Sequence, residues 1–206
     1  MRIVLGVCGT ALMIVTGASV VSAQVVVQHQ PSERVAAGVA LGSFSNGDLP
    51  SPNGGMDVAA SLEAPLGRQW RVRGDVGRVE WPFEFHQDGF RITVEDRMTL
   101  SRATLTLLRV RPASGVLRLG MYAGAGAGLY HYSFERAYAP ASTRGGFHAL
   151  AGLEVVPRDR VAITGELQLH VIDGPTDGPV PPGRDGDVFG STMLALRGAV
   201  GVKLRF

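Results

Sequence analysis

The sequence predicts an all-β fold: an eight-stranded antiparallel up-and-down barrel whose strands cross a membrane. Three observations carry that expectation. Apolar and polar side chains alternate in eight separate segments, and the links between them alternate short and long. The 28 glycines and 12 prolines among 206 residues suit strands and turns better than helices.

The chain starts with "MRIVLGVCGTALMIVTGASVVSA". Arg2 is the charged start, an apolar stretch runs from Ile3 to about Val15, and the small residues Ser19 and Ala23 flank a cleavage point before Gln24. Residues 1–23 are therefore expected to be a secretory signal peptide, 24–33 a short lead, and 34–206 the barrel. Cys8 falls within the peptide and is the single cysteine, so the exported chain must be stable without disulfides.

The strands follow in order. "RVAAGVALGSF" sets Val35, Val39 and Leu41 on one face. "MDVAASLEAPL" opposes Val58, Ala60 and Leu62 to Asp57, Ser61 and Glu63, and "QWRVRGDVG" opposes Trp70, Val72 and Val76 to Arg71, Arg73 and Asp75. The fourth, "TLSRATLTLLRV", aligns Ala103, Leu105 and Leu107, although its ends are poorly marked. "VLRLGMYAGAGAGLYHY" runs Leu119, Met121, Ala123 and Leu129 against Arg118, Gly120, Tyr122 and Gly124. "GGFHALAGLEVV" opposes Phe147, Ala149 and Leu153 to His148, Gly152 and Glu154. "RVAITGELQLHVI" opposes Ile163, Leu167 and Leu169 to Thr164, Glu166 and Gln168. The last segment aligns Leu194, Leu196, Val200, Val202, Leu204 and Phe206 against Arg197, Lys203 and Arg205.

Tight turns join strands two and three (Pro65 to Arg68), four and five (Pro112 to Gly115), and six and seven (Pro157 to Arg160). The other links are long: about Ser45 to Gly55, Pro82 to Met98, Ser133 to Arg144 and Asp173 to Gly190. An up-and-down barrel places all the short turns at one end and all the long loops at the other.

Which face is outside decides the class of protein. A soluble lipocalin-type barrel would line a ligand cavity with the apolar face and show the polar face to water. Here the polar face mixes glycines with charges of both signs, which suits a cramped interior in which side chains fill the lumen and leave no continuous aqueous pore. Asp57, Glu63, Glu154 and Glu166 then face Arg71, Arg73, Arg102 and Arg118 as an interior ion-pair network, since an unpaired charge there would be costly. Paired carboxylates for acid–base catalysis are the competing reading of the same residues. Barrel shear decides which arginine meets which carboxylate, and the sequence leaves it open.

The signal peptide, the eight strands, "YAGAGAGLY" and the final "GVKLRF" resemble the small bacterial outer-membrane β-barrel family of the OmpA/OmpX type. The resemblance implies an integral outer-membrane protein, non-enzymatic, with a structural role or a surface-loop role in binding or adhesion. It implies contact with outer-membrane lipid and lipopolysaccharide, and recognition by the barrel assembly machinery through Gly201, Leu204 and Phe206. An extracellular ligand of the loops remains open, as does the oligomeric state. Trp70, Trp81 and Phe206 are expected in aromatic girdles, with Phe83 and Phe85 near Trp81 in outer or loop packing; a ligand-contacting cluster is the competing reading of Trp81, Phe83 and Phe85. Pro82 interrupts that segment, and a bulge there would change which face these rings occupy.

One segment suggests an enzyme. In "LYHYSFE", His131 and Ser133 share a face near the long-loop end, a pattern similar to outer-membrane lipid A 3-O-deacylases, where such a pair works with a carboxylate. Phe134 stands where those enzymes carry asparagine, and Glu135 is the nearby acid. A loop-edge His and Ser without catalytic role is the plainer reading.

Other classes find no support. Of 20 basic residues only Lys203 is lysine, and the arginines are dispersed rather than grouped into a nucleic-acid-binding stripe. Asp173, Asp177, Asp185 and Asp187 match no calcium-loop spacing, and His86, His148 and His170 are scattered, so neither a metal nor a cofactor is expected.

Overall fold

In a computed structural model the chain is described over residues 34–46, 55–86, 93–114, 118–135, 141–174 and 192–206. Residues 1–33, where the signal peptide and lead are expected, and parts of the long links, including Asp177, Asp185 and Asp187, lie outside the described residues. Eight strands form one closed antiparallel barrel in sequence order: β1 (Ala36–Asn46), β2 (Gly55–Pro65), β3 (Trp70–His86), β4 (Thr93–Ser114), β5 (Leu119–Phe134), β6 (Ser142–Arg158), β7 (Val161–Asp173) and β8 (Thr192–Arg205). Closure is made by β1 on β8, where Val39 faces Val202 and Ala36 faces Arg205.

The register sets the shape. Followed once around the barrel from Ala36, partners run through Glu63, Arg73, Thr106, Gly126, His148, His170 and Ala195 and return to β1 at Asn46, ten residues along. A shear of ten on eight strands tilts the strands by roughly 40°. At that tilt the outward run from Val161 to Val171 on β7 covers roughly 25 Å along the axis, the height of an apolar membrane band.

Alternation is kept throughout. Outward side chains such as Val39, Leu105, Phe147, Leu167 and Val200 are exposed, Leu167 at 61%, whereas Asp57, Arg73 and Glu166 are buried, Asp57 at 0%. This is the reverse of a soluble barrel's arrangement. Each large apolar side chain left in water forgoes about 1.5–3 kcal/mol of burial, so this surface suits a non-aqueous surrounding.

Two expectations about strands need correction. The link from Pro82 to Met98 is mostly strand: β3 continues to His86 and β4 begins at Thr93, with Pro82 facing Arg97 in unbroken register. The last partner of β3 on β2 is Met56, opposite Glu80. Beyond it β3 runs as an edge, where proline's missing N–H is tolerated. The fourth strand is accordingly much longer than its apolar pattern suggested.

Candidate functional site in the barrel lumen

The alternating polar positions converge on the axis. Asp57 on β2 receives both Nη atoms of Arg102 from β4, and Arg197 from β8 donates Nε to the same carboxylate at 2.5 Å. Arg197 also lies 3.8 Å from Glu166 on β7. Glu166 accepts from Arg73 at 2.5 Å, from the Tyr122 hydroxyl at 2.6 Å and from Gln168 at 3.0 Å. Arg73 reaches Asp75 at 2.6 Å and Glu63 at 3.9 Å. Glu63 is closed off by Lys203 at 2.5 Å and Arg71 at 3.2 Å.

Carboxylates and cations thus alternate as one chain across the lumen, from Arg102 to Lys203, with strands β2, β3, β4, β7 and β8 contributing. Each carboxylate along it is held by arginine or lysine donors, which offsets the loss of hydration that makes an isolated buried charge prohibitive. Small residues make the space. An added Cβ at Gly77 would lie 2.6 Å from the Arg102 guanidinium, and one at Gly152 would collide with the Tyr122 ring. Glu154 pairs separately with Arg205 at 2.8 Å.

The expected charge set is therefore brought to the lumen with one exception. Arg118 lies in the turn before β5 with a positive φ of 46°, partly exposed, and pairs with Asp159 of the adjacent turn at 2.8 Å. The period-two rule assigned it inward, but β5 starts one residue later and the left-handed backbone turns its side chain away. Asp75, Arg197, Lys203, Tyr122 and Gln168 complete the network. Parity alone had turned them inward, although Asp75 and Tyr122 look unremarkable until Arg73 and Glu166 meet.

On the long-loop side of the charges lies an aromatic and apolar group: Phe44, Trp81, Tyr130, Tyr132, Met98 and Met193, with Val79, Leu100 and Ile172. Trp81 was expected in an outer girdle and is instead turned into the lumen, 2% exposed. Because no bulge interrupts β3 between Arg71 and Trp81, the inward parity of Arg71, Arg73 and Val79 carries on to Trp81. Its Nε1 donates to the Phe44 carbonyl at 3.0 Å, and its ring meets Phe44 edge-on at 5.3 Å. The Phe83 and Phe85 side chains lie outside the described residues. Trp70 and Phe206 remain outward at the short-turn end, Phe206 at 71% exposure.

Between the rings and the charges, His148 and His170 stack across β6 and β7 with centroids 5.5 Å apart. Thr106 hydroxyl meets His148 Nε2 and Tyr130 hydroxyl meets His170 Nδ1, both at 2.8 Å. Among the described residues no group of three or more His, Cys, Asp or Glu is arranged to hold a metal ion. At the short-turn side, Leu108, Val110, Tyr122 and Leu150 pack together, with Lys203 Nζ 4.5 Å from the Tyr122 ring centre.

The His131 and Ser133 pair lies away from all of this. His131 is exposed on the outer face and its Nδ1 meets Thr143 Oγ1 at 2.9 Å. Glu135 is exposed and lies 4.0 Å from Arg97. No described hydrogen bond joins His131 to Ser133 or to a carboxylate. In the terminal strand, Gly201 points inward against Val39 and Ala40 of β1, while Leu204 and Phe206 point outward.

Neither a protein-family model nor a curated protein matches the chain. Solved structures do. Neisserial surface protein A is similar with a TM-score of 0.55 at 14% identity, over 84% of this chain and 96% of that one. The outer membrane protein OprG from Pseudomonas aeruginosa has a TM-score of 0.55 at 10% identity, over 86% and 97%. A major outer membrane protein from Thermus thermophilus has a TM-score of 0.53 at 16% identity, over 84% and 98%. The chain has the fold of the small outer-membrane β-barrels, as the resemblance in its sequence implied.

Proposed function

We propose that this protein is an integral barrel of a bacterial outer membrane that works without catalysis, through its place in the membrane and through binding or adhesion at its long-loop end. The observation that carries the reading is the division of the wall: an apolar exterior around a closed sheet, with the charges inside. Only lipid rewards that division, because a closed barrel leaves no backbone group unpaired in the bilayer and water would penalise the outer face. The outer membrane proteins from Pseudomonas aeruginosa and Thermus thermophilus that share this fold support the same assignment.

Within that reading the lumen is filled by side chains rather than open to water. The ion-pair chain spans it and the Phe44 and Trp81 cluster stacks above. The wall-facing environment of His131 and Ser133, with Thr143 as the histidine's partner, favours a non-catalytic pair. Residues 1–23 direct export, and Gly201, Leu204 and Phe206 form the address read by the barrel assembly machinery. Cell fractionation tests the whole reading. The protein is expected in the outer-membrane fraction with heat-modifiable migration in detergent gels; release as a soluble periplasmic protein would overturn it.

A further inference from the structure

The charges left on the outside are distributed unequally between the two ends. At the long-loop rim the described arginines are matched by acids: Arg78 pairs with Glu80 at 2.8 Å, and Arg97 lies 4.0 Å from Glu135. At the short-turn rim, Arg68, Arg109, Arg111, Arg158 and Arg160 are exposed, and Arg118 is half-buried. Among the described residues, Asp159 is the one side-chain carboxylate on the outside of that rim, and it is engaged by Arg118.

These arginines lie in or near all three short turns, so they are spread from β2 to β7 around the barrel instead of forming one facet. Arg68 belongs to the β2–β3 turn, Arg109 and Arg111 to the end of β4, and Arg158 and Arg160 flank the β6–β7 turn. They border the apolar band. Arg109 sits directly opposite the outward Trp70, and Arg111 opposite the outward Met121. Leu66, Leu119 and Phe206 are exposed at the same end. An indole beside a guanidinium at the edge of an apolar band marks the headgroup depth of a bilayer, where the arginine stem lies against lipid and its fork reaches phosphate.

We propose that the short-turn rim is a basic collar that binds the phosphates of anionic glycerophospholipids in the leaflet on that side. The inference rests on the membrane reading above. A distribution spread around the barrel fits a lipid annulus, whereas an acidic protein would need the charges grouped on one facet. A planar guanidinium donating two hydrogen bonds to one phosphate suits this ligand better than an ammonium would, and the collar contains no lysine among the described residues.

The test uses the folded barrel in phosphatidylcholine bilayers containing trace spin-labelled phosphatidylglycerol or spin-labelled phosphatidylcholine, with the motionally restricted fraction read by electron spin resonance. The expected result is at least about a twofold preference for phosphatidylglycerol at low salt that declines as salt rises. It should fall to near unity in the variant R109Q/R111Q/R158Q/R160Q, and partly in R158Q/R160Q, which alters only residues flanking a turn. R78Q/R97Q at the opposite rim should retain the preference. Loss of preference in R78Q/R97Q with retention in the collar variants would overturn the collar, as would a wild-type barrel that inserts without preference. A wild-type chain that stays soluble and free of lipid would overturn the membrane reading as well.

Discussion

Arg73 and Glu166 are 93 residues apart in sequence and meet at 2.5 Å near the centre of the lumen. Arg73 links this contact to Asp75 and Glu63, and Glu166 links it to Tyr122, Gln168 and Arg197. The pair is therefore the joint through which the two halves of the charge chain are connected.

Removing one member leaves the other charged and buried. Glu166→Ala is expected to destabilise the folded barrel by about 3–5 kcal/mol, and Arg73→Ala by a similar amount. The double replacement should cost less than the two singles summed, because neither charge is then orphaned. Urea unfolding in lipid vesicles measures all three, and strict additivity would contradict the coupling.

The outer wall makes a prediction that depends on depth. Leu167→Arg places a charge in the middle of the apolar band and should cost about 2–4 kcal/mol in a bilayer, whereas Leu204→Arg near the short-turn rim should cost about 0–1 kcal/mol. Unfolding from vesicles compares them, and equal costs would contradict the assignment of the band.

The proposal that side chains fill the lumen predicts electrical silence. In planar bilayers the wild-type barrel is expected to show no steady conductance, since the ion-pair chain and the cluster around Phe44 and Trp81 occupy the axis. A stable open channel in most insertions would contradict the packing.

Phe206 is exposed on the outer face at the end of β8, and its backbone N–H donates to the Val35 carbonyl at 2.9 Å. Phe206→Asp should lower the amount of folded protein in the outer membrane several-fold. Normal levels would remove the residue from the proposed assembly signal.

Much of this arrangement was legible before any coordinates. A period of two is a local property, so the inward and outward sets of β2, β5, β6, β7 and β8 could be written down residue by residue. Local rules stop at strand ends. Arg118 has the parity of an inward residue but sits in a turn with positive φ. Pro82 suggested a break, yet it lies where β3 has outrun β2 and the ladder loses nothing. The partners within the lumen required the shear, a property of the closed barrel and of no single strand. Hence Asp57 could be placed inside from its neighbours, but its grip by Arg102 and Arg197, 45 and 140 residues away, could not.

The two tryptophans report most directly on the central claim, that the apolar face meets lipid and the alternate face is enclosed. Trp70 is outward and 45% exposed, while Trp81 is inward and held by Phe44. Single-tryptophan proteins, W81F retaining Trp70 and W70F retaining Trp81, are folded into vesicles of lipid brominated near the headgroup end of its acyl chains. Bromine is expected to quench Trp70 strongly and Trp81 weakly. Quenching of Trp81 equal to or greater than that of Trp70, or of neither, would contradict the account.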